Sequence, residues 1–182
     1  MIKMLGVFAV NLFDYEIDKD KTADKVDRFL DKKFFAIRNT AGATASDLSS
    51  PLLDKSGVVN HSHVNNADMR FLGYAGQYKE IEACQHIVQA VMKTIEACPN
   101  NSRQPYASIL YKRYIKHDFD INVYNSLGYS KSRYYQLRKD ALTVFAQIFP
   151  SKMAKFAEND LEYNLVPDLI VKSKIGHFSD KK

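Results

Sequence analysis

Side chains able to contact nucleic acid are concentrated between residues 131 and 139 of the sequence. Arginine and lysine reach guanine acceptors and phosphates, glutamine pairs with adenine, and serine and tyrosine donate to phosphate oxygens. Residues of these types that we expect on the exposed side of one helix are Lys131, Ser132, Arg133, Tyr135, Gln136 and Lys139. Arg138 in the same segment, and Lys112 and Arg113 before it, add positive charge. The combination indicates double-stranded DNA as the ligand.

The positive charge of the chain is concentrated in the same region. The sequence carries a formal net charge of +5. Residues 103–149 contain eight Lys or Arg and three Asp or Glu, so they account for all of this excess. Localised basicity is the electrostatic signature of a surface that binds a polyanion, although a solvated basic face has the same composition.

A turn between two helices is expected to position these side chains. Gly128 ends a short helix predicted at residues 121–127, because glycine adopts the left-handed conformation at low cost. Ser130 is a suitable N-cap for the next helix, predicted at residues 131–149. Tyr129 stands between them, at the joint. A short helix, a turn containing glycine and a capped second helix are the features of a helix-turn-helix, whose second helix enters the major groove.

Longer blocks of the sequence resemble known DNA-binding proteins. The segment LGYSKSRYYQLRKDAL (127–142) resembles the helix-turn-helix in the last domain of bacterial sigma factors. The blocks EIDKDKT (16–22), LYKRY (110–114) and SKSRYYQLRKDALTVFA (130–146) are more similar to the ArpU family of phage-encoded transcriptional regulators. This resemblance implies a regulator of late phage genes for packaging and lysis, or of host autolysin genes.

The remainder of the sequence predicts an all-α fold. Apolar residues at helical spacing predict a helix at residues 22–38, capped by Asp20 or Thr22 and stopped by Gly42, and a long helix at residues 68–97. A Ser- and Asn-rich stretch, residues 45–66, predicts a flexible loop between them. The long helix carries a heptad-like apolar seam. We favour packing of this seam within the chain, and pairing of two protomers is the alternative.

These elements predict three regions along the chain. A helical region occupies residues 14–98, a helix-turn-helix domain of the sigma-factor type occupies residues 102–149, and a tail occupies residues 150–182. Ser102 is a suitable N-cap for the helix that opens the second region. The tail is predicted to be a short helix or a loose end.

The sequence offers no motif of a catalytic or metal centre. It lacks a phosphate-binding glycine-rich loop, a nucleophile elbow and zinc-ligand spacing, so we expect neither enzyme activity nor a cofactor. His61 and His63 are two residues apart, but a metal site needs three or four ligands, and no other ligand cluster stands near them. We therefore expect no metal.

The cysteine spacing and the N-terminus favour a cytoplasmic protein. Cys84 and Cys98 would lie about 21 Å apart on one helix, too far for a disulfide. The apolar run at residues 1–10 is too short to span a bilayer and lacks the features of a signal peptide. We expect no membrane association.

The sequence therefore predicts a DNA-binding transcriptional regulator rather than an enzyme. Lys131, Arg133 and Lys139 would supply salt-dependent affinity, and Ser132, Tyr135 and Gln136 would add base or phosphate contacts. The preceding helices would position this module and contact RNA polymerase or a second protomer. Two alternatives remain, a small terminase-like DNA-packaging protein and a protein whose basic face docks an acidic partner other than DNA.

Overall fold

The structure is a computed structural model, which describes residues 16–43, 75–157 and 160–173. Within these ranges the regular secondary structure is helical, accompanied by isolated antiparallel bridges such as Ile17–Lys172. The all-α prediction is confirmed. The predicted loop at residues 45–66 and the first turns of the predicted long helix lie outside the described residues.

The first helical stretch is longer than predicted and contains a π-helical turn. It consists of three consecutive elements, α1 (Lys19–Arg28), π1 (Phe29–Lys33) and α2 (Phe34–Thr40). Its buried side chains recur every three or four residues and face the core, as an amphipathic helix requires. They are Thr22, Ala23, Val26, Phe29, Leu30, Phe34, Ile37 and Arg38.

The two ends of this stretch differ in how well the sequence predicted them. The prediction that Asp20 or Thr22 caps the first turn is wrong, because the carboxylate of Asp18 accepts the Lys21 N–H at 3.1 Å. Thr22 is buried and donates its hydroxyl elsewhere. At the other end Gly42 has a φ of 69° and follows the last helical turn, which confirms it as the stop.

The long middle helix, α3 (Ala75–Ala97), packs its apolar seam inside the chain. Val88, Met92 and Ile95 are buried in the core, while Tyr78 at the other end of the seam is exposed. This face contacts α2 and the C-terminal helices. Within the described residues, the seam is therefore used for intramolecular packing, as we favoured.

The next helix begins three residues later than a Ser102 cap would require. α4 (Tyr106–Leu110) follows Pro105 and continues into π2 (Tyr111–Ile115), without a side-chain cap. Upstream, the carboxamide oxygen of Asn101 accepts two backbone N–H groups at 3.0 and 2.9 Å. This turn satisfies the backbone that a helix starting at Ser102 would have used, and the Ser102 prediction is wrong.

Three further helices complete the described chain, α5 (Asp120–Leu127), α6 (Lys131–Phe156) and α7 (Asp160–Leu165). α6 is the central element, since it contacts α1, α3, α4 and α5. It extends beyond residue 149, where the sequence predicted its end, and continues through Pro150.

Packing explains why α6 continues past a proline. Pro150 lacks an N–H and costs a helical hydrogen bond. However, Phe149 and Met153 extend the buried stripe, and the rings of Phe145 and Phe149 stack with centroids 5.3 Å apart. Burial of two large apolar side chains stabilises the last turns by about 2 kcal/mol each, and together they outweigh the penalty of about 3 kcal/mol for an interior proline.

One apolar cluster runs through the predicted helical region and the predicted helix-turn-helix region. The C-terminal segment joins it, because Leu169 is buried and the Asp18 N–H donates to the Val171 carbonyl at 2.9 Å. The chain ends of the described part thus meet. Residues 150–173 are not a loose tail where they are described, and they hold α1 in place beside α6.

Candidate nucleic-acid interface

The joint between α5 and α6 is a three-residue turn whose first residue is Gly128. Gly128 has a φ of 73°. Its N–H donates to the Asn125 carbonyl at 3.2 Å, and the Tyr129 N–H donates to the Tyr124 carbonyl at 3.0 Å. This pair of bonds is the Schellman arrangement that ends a helix on a left-handed residue. The predicted role of Gly128 is confirmed.

Ser130 begins α6 as the sequence predicted. Its backbone is extended, and its hydroxyl oxygen accepts the Arg133 N–H at 3.4 Å. Tyr129 packs against the core, and its phenol donates to the Ser102 carbonyl at 2.7 Å. The turn is therefore fastened to the loop before α4, which fixes the direction in which α6 leaves it.

The first turns of α6 present a continuous polar surface. Tyr134 and Leu137 face the core, while most of the residues between residues 131 and 139 that flank them are exposed. We call these exposed residues the basic face; they are Lys131, Ser132, Arg133, Tyr135, Gln136 and Lys139. No carboxylate occurs between residues 131 and 139. The predicted contact residues on this helix, apart from Arg138, are thus brought together.

The side chains of the basic face differ in how strongly other groups hold them. Within the described chain, Lys131 and Ser132 make no side-chain hydrogen bond or ion pair. Arg133 reaches the Gln136 carboxamide oxygen only at 3.5 Å. The phenol of Tyr135 donates to Asp120 at 3.2 Å. Lys131 and Ser132, the residues of the basic face nearest the turn, are therefore the most available to bind a ligand.

Arg138, one of the residues predicted to contact DNA, lies off the basic face. Its side chain retains only 15% of its exposure, and it donates to Asp27 and to the Tyr114 hydroxyl. Asp120 lies 3.7 Å from the same guanidinium. Burial alone lowers the pKa of Arg138, but Tyr114 and the two carboxylates outweigh it and raise the pKa. Arg138 is a permanent cation that joins α6 to α1.

Arg113 and Lys112, also predicted contacts, are engaged by neighbouring helices. Arg113 pairs with Asp31 at 3.2 Å and with Asp120 at 3.3 Å. The Lys112 ammonium donates to the Ser126 hydroxyl at 2.7 Å. Arg113 therefore connects π2 to π1 and α5, whereas Lys112 has a neutral partner and is not paired with a carboxylate of the described residues.

Two buried tyrosines complete this network. Tyr114 donates to Asp27, and Tyr134 donates to Asp120 at 2.7 Å. Burial raises the pKa of Tyr114, and burial together with the Asp120 carboxylate raises that of Tyr134. Both phenols therefore stay protonated and act as donors to the carboxylates.

The sequence predictions missed the acidic partners of this network. Asp20, Asp27 and Asp31 lie on one side of the first helical stretch, and each pairs with a basic residue predicted to contact DNA. Their spacing of seven and four residues is a helical repeat, so the sequence already indicated that these three aspartates share one side of a helix. It did not indicate their basic partners, because these are about 80 to 120 residues away along the chain.

Two further kinds of feature, a metal-ligand cluster and a membrane-spanning helix, are not found among the described residues. These residues contain no group of three or more His, Cys, Asp or Glu able to hold a metal ion, and none of their helices is long and apolar enough to cross a membrane. His61 and His63 lie outside them. Cys84 and Cys98 are buried free thiols, and burial raises the pKa of Cys98 to about 12.

No protein-family model matches the chain, and neither a curated protein nor a solved structure is significantly similar.

Proposed function

We propose that this protein is a sequence-specific, DNA-binding transcriptional regulator that inserts the start of α6 into the major groove. The observation that carries the proposal is the basic face, presented by a helix that starts at a capped, three-residue turn. A helix of this kind fits the major groove of B-DNA, which is about 12 Å wide.

The side chains of the basic face are suited to two different roles, affinity for the DNA backbone and recognition of bases. Lys131, Arg133 and Lys139 are charged, so they supply affinity through phosphates and the release of counterions. Gln136 is neutral and bidentate, which suits it to read an adenine edge. The packing of Tyr134 and Leu137 into the core supports this role, because it holds the helix rigidly beneath those side chains.

The class of target genes rests on the sequence resemblance alone. The ArpU-like blocks include the turn and the basic face, and they favour late phage genes or autolysin genes as targets. RNA polymerase or a second copy of the chain is then the expected protein partner.

The test is selection of bound duplexes from a random-sequence pool, followed by sequencing. We expect the wild-type chain to enrich a motif and the double variant Arg133→Ala, Lys139→Ala to lose it. The matched control is Lys152→Ala, Lys155→Ala, which removes two charges from the same helix about 25 Å along its axis from Arg133 and Lys139. Circular dichroism should show that both double variants are folded.

The outcomes separate the candidate functions. Enrichment that is lost only in the first double variant supports the proposal. No enrichment at low salt by the folded wild-type chain contradicts it and favours a basic face that docks an acidic protein. Enrichment by ring-sized oligomers, seen by light scattering, favours DNA packaging over transcription.

A further inference from the structure

The first helical stretch carries four aspartates on one side, at spacings of four, three and four residues. We call Asp20, Asp24, Asp27 and Asp31 the aspartate stripe. Three of them pair with basic residues of the segment proposed to bind DNA. The pairs are Asp20 with Lys139, Asp27 with Arg138 and Asp31 with Arg113. The carboxylate of Asp24 makes no hydrogen bond or ion pair with the described residues.

These three pairs differ in their access to water. The side chains of Arg138 and Arg113 keep 15% and 23% of their exposure, and each arginine contacts a second carboxylate. The two arginines are therefore largely shielded from water and held by the fold. The pair between Asp20 and Lys139 is open, with 72% and 48% of the two side chains exposed. Exposed pairs of this kind are weak and exchange partners readily.

Lys139 is also the residue of the basic face that lies farthest from the turn. A phosphate that approaches it competes with the Asp20 carboxylate for the ammonium and comes to lie beside a second negative charge. Asp18, the neighbouring acid, forms an ion pair with Lys21 at 2.9 Å and attracts Lys139 only at longer range, without an ion pair to it. The ion pair between Asp20 and Lys139 in the free protein therefore weakens DNA binding.

We propose that Asp20 competes with DNA phosphate for Lys139 and thereby limits the affinity of the basic face for DNA. This inference rests on the proposed function. Asp20 acts as an internal substitute for a phosphate, and the contact between α1 and α6 is an autoinhibitory one. When DNA displaces it, Asp20 takes up a cation from solution, which offsets one of the counterions that DNA releases.

The experiment compares Asp20→Asn with Asp24→Asn in the full chain, using the duplex selected above. Both changes remove one negative charge from the same helix, and only the first frees Lys139. We expect Asp20→Asn to tighten binding about threefold at 0.1 M salt, the range that an exposed ion pair allows. The slope of log K against log salt should steepen by about one. Asp24→Asn should change neither quantity appreciably.

Repeating both substitutions in a Lys139→Ala background tests the mechanism. We expect the advantage of Asp20→Asn over Asp24→Asn to disappear there, because no ammonium remains to be freed. Equal effects of the two substitutions in the wild-type background, or an advantage that survives without Lys139, would overturn the inference while leaving DNA binding intact. If the wild-type chain and both Asn variants all fail to bind any duplex at low salt, the proposed function is overturned and the inference with it. Melting curves exclude unfolding as the cause.

Discussion

Arg138 of α6 donates a hydrogen bond to Asp27 of α1, and the arginine side of this pair is shielded from water. The same guanidinium holds the Tyr114 hydroxyl at 3.0 Å. A residue that composition alone assigns to DNA therefore fixes the helix that carries the basic face to the N-terminal helix. Substitution of Arg138 should therefore lower the stability of the fold, whereas substitution of its exposed neighbours should lower the affinity for DNA.

Arg138→Ala should destabilise the fold by about 2 kcal/mol. Removing one partner leaves Asp27 and Asp120 without their shared cation, and the loss falls between that of an exposed pair and that of a fully buried one. Asp27 keeps 37% exposure, which lowers the loss. Urea unfolding measures it. Arg133→Ala on the exposed side of the same helix is the control and should change stability by less than about 0.5 kcal/mol.

Gly128→Ala should cost about 1 kcal/mol of stability. The φ of 73° is unfavourable for alanine, while a Cβ at this position meets no atom within 4 Å. The cost is therefore backbone strain without a clash. Gly128→Asn should cost less, because asparagine tolerates the left-handed conformation. Thermal melts of the two variants check the order, and equal losses would show that crowding rather than strain governs the turn.

Gln136→Ala and Lys139→Ala should affect DNA binding in different ways. The first should relax sequence preference, with the selected duplex losing about 1–3 kcal/mol of discrimination against a changed base. The second should weaken binding to all duplexes alike, because Lys139 contacts phosphate and not a base. Binding isotherms on selected and scrambled duplexes measure both. Equal losses on both duplexes in both variants would contradict this assignment.

Local signals explain which parts of the structure were predictable. Gly128, Ser130 and Gly42 act through their own backbone and nearest neighbours, so sequence reasoning placed them correctly. The end of α6 was missed because Pro150 is a strong local stop signal, and the packing of Phe149 against Phe29, with ring centroids 5.9 Å apart, is not local.

The same limit applies to the candidate site. Exposure of the basic face followed from helical periodicity, since every third or fourth residue of α6 turns inward. Periodicity did not show that Arg113 and Arg138 form ion pairs within the protein, because the carboxylates that bind them are remote in sequence. Counting charges within one segment therefore overestimates the number of cations available to a ligand.

The two thiols should be unreactive in the native protein. Burial raises the pKa of both cysteines, that of Cys98 to about 12, and the thiolate is the nucleophile. At pH 8 a group with that pKa is ionised in about one molecule in ten thousand. We expect slow labelling by an aromatic disulfide reagent in native buffer and rapid labelling of both thiols in guanidinium. Fast labelling of the native chain would show that α3 opens locally.

His117 should make the fold less stable as the pH falls. It adopts a φ of 58°, and its ring lies 5.6 Å from that of Phe35. Partial burial, Arg38 and Arg113 lower its pKa, and Asp31 opposes them without reversing the shift. The unfolded chain therefore binds a proton more readily than the native chain, so the free energy of unfolding rises with pH in this window.

The stabilising contribution of neutral His117 is complete above the unfolded pKa, about 6.5. It is lost as the pH falls from there toward the lower native pKa. His117→Asn keeps a side chain that accepts this backbone conformation and removes the titrating group. The melting temperature of the wild type, relative to that of the variant, should fall between pH 7.5 and pH 5.5. A difference that stays constant, or that grows in favour of the wild type at low pH, would mean that the neighbouring arginines do not repel a protonated His117.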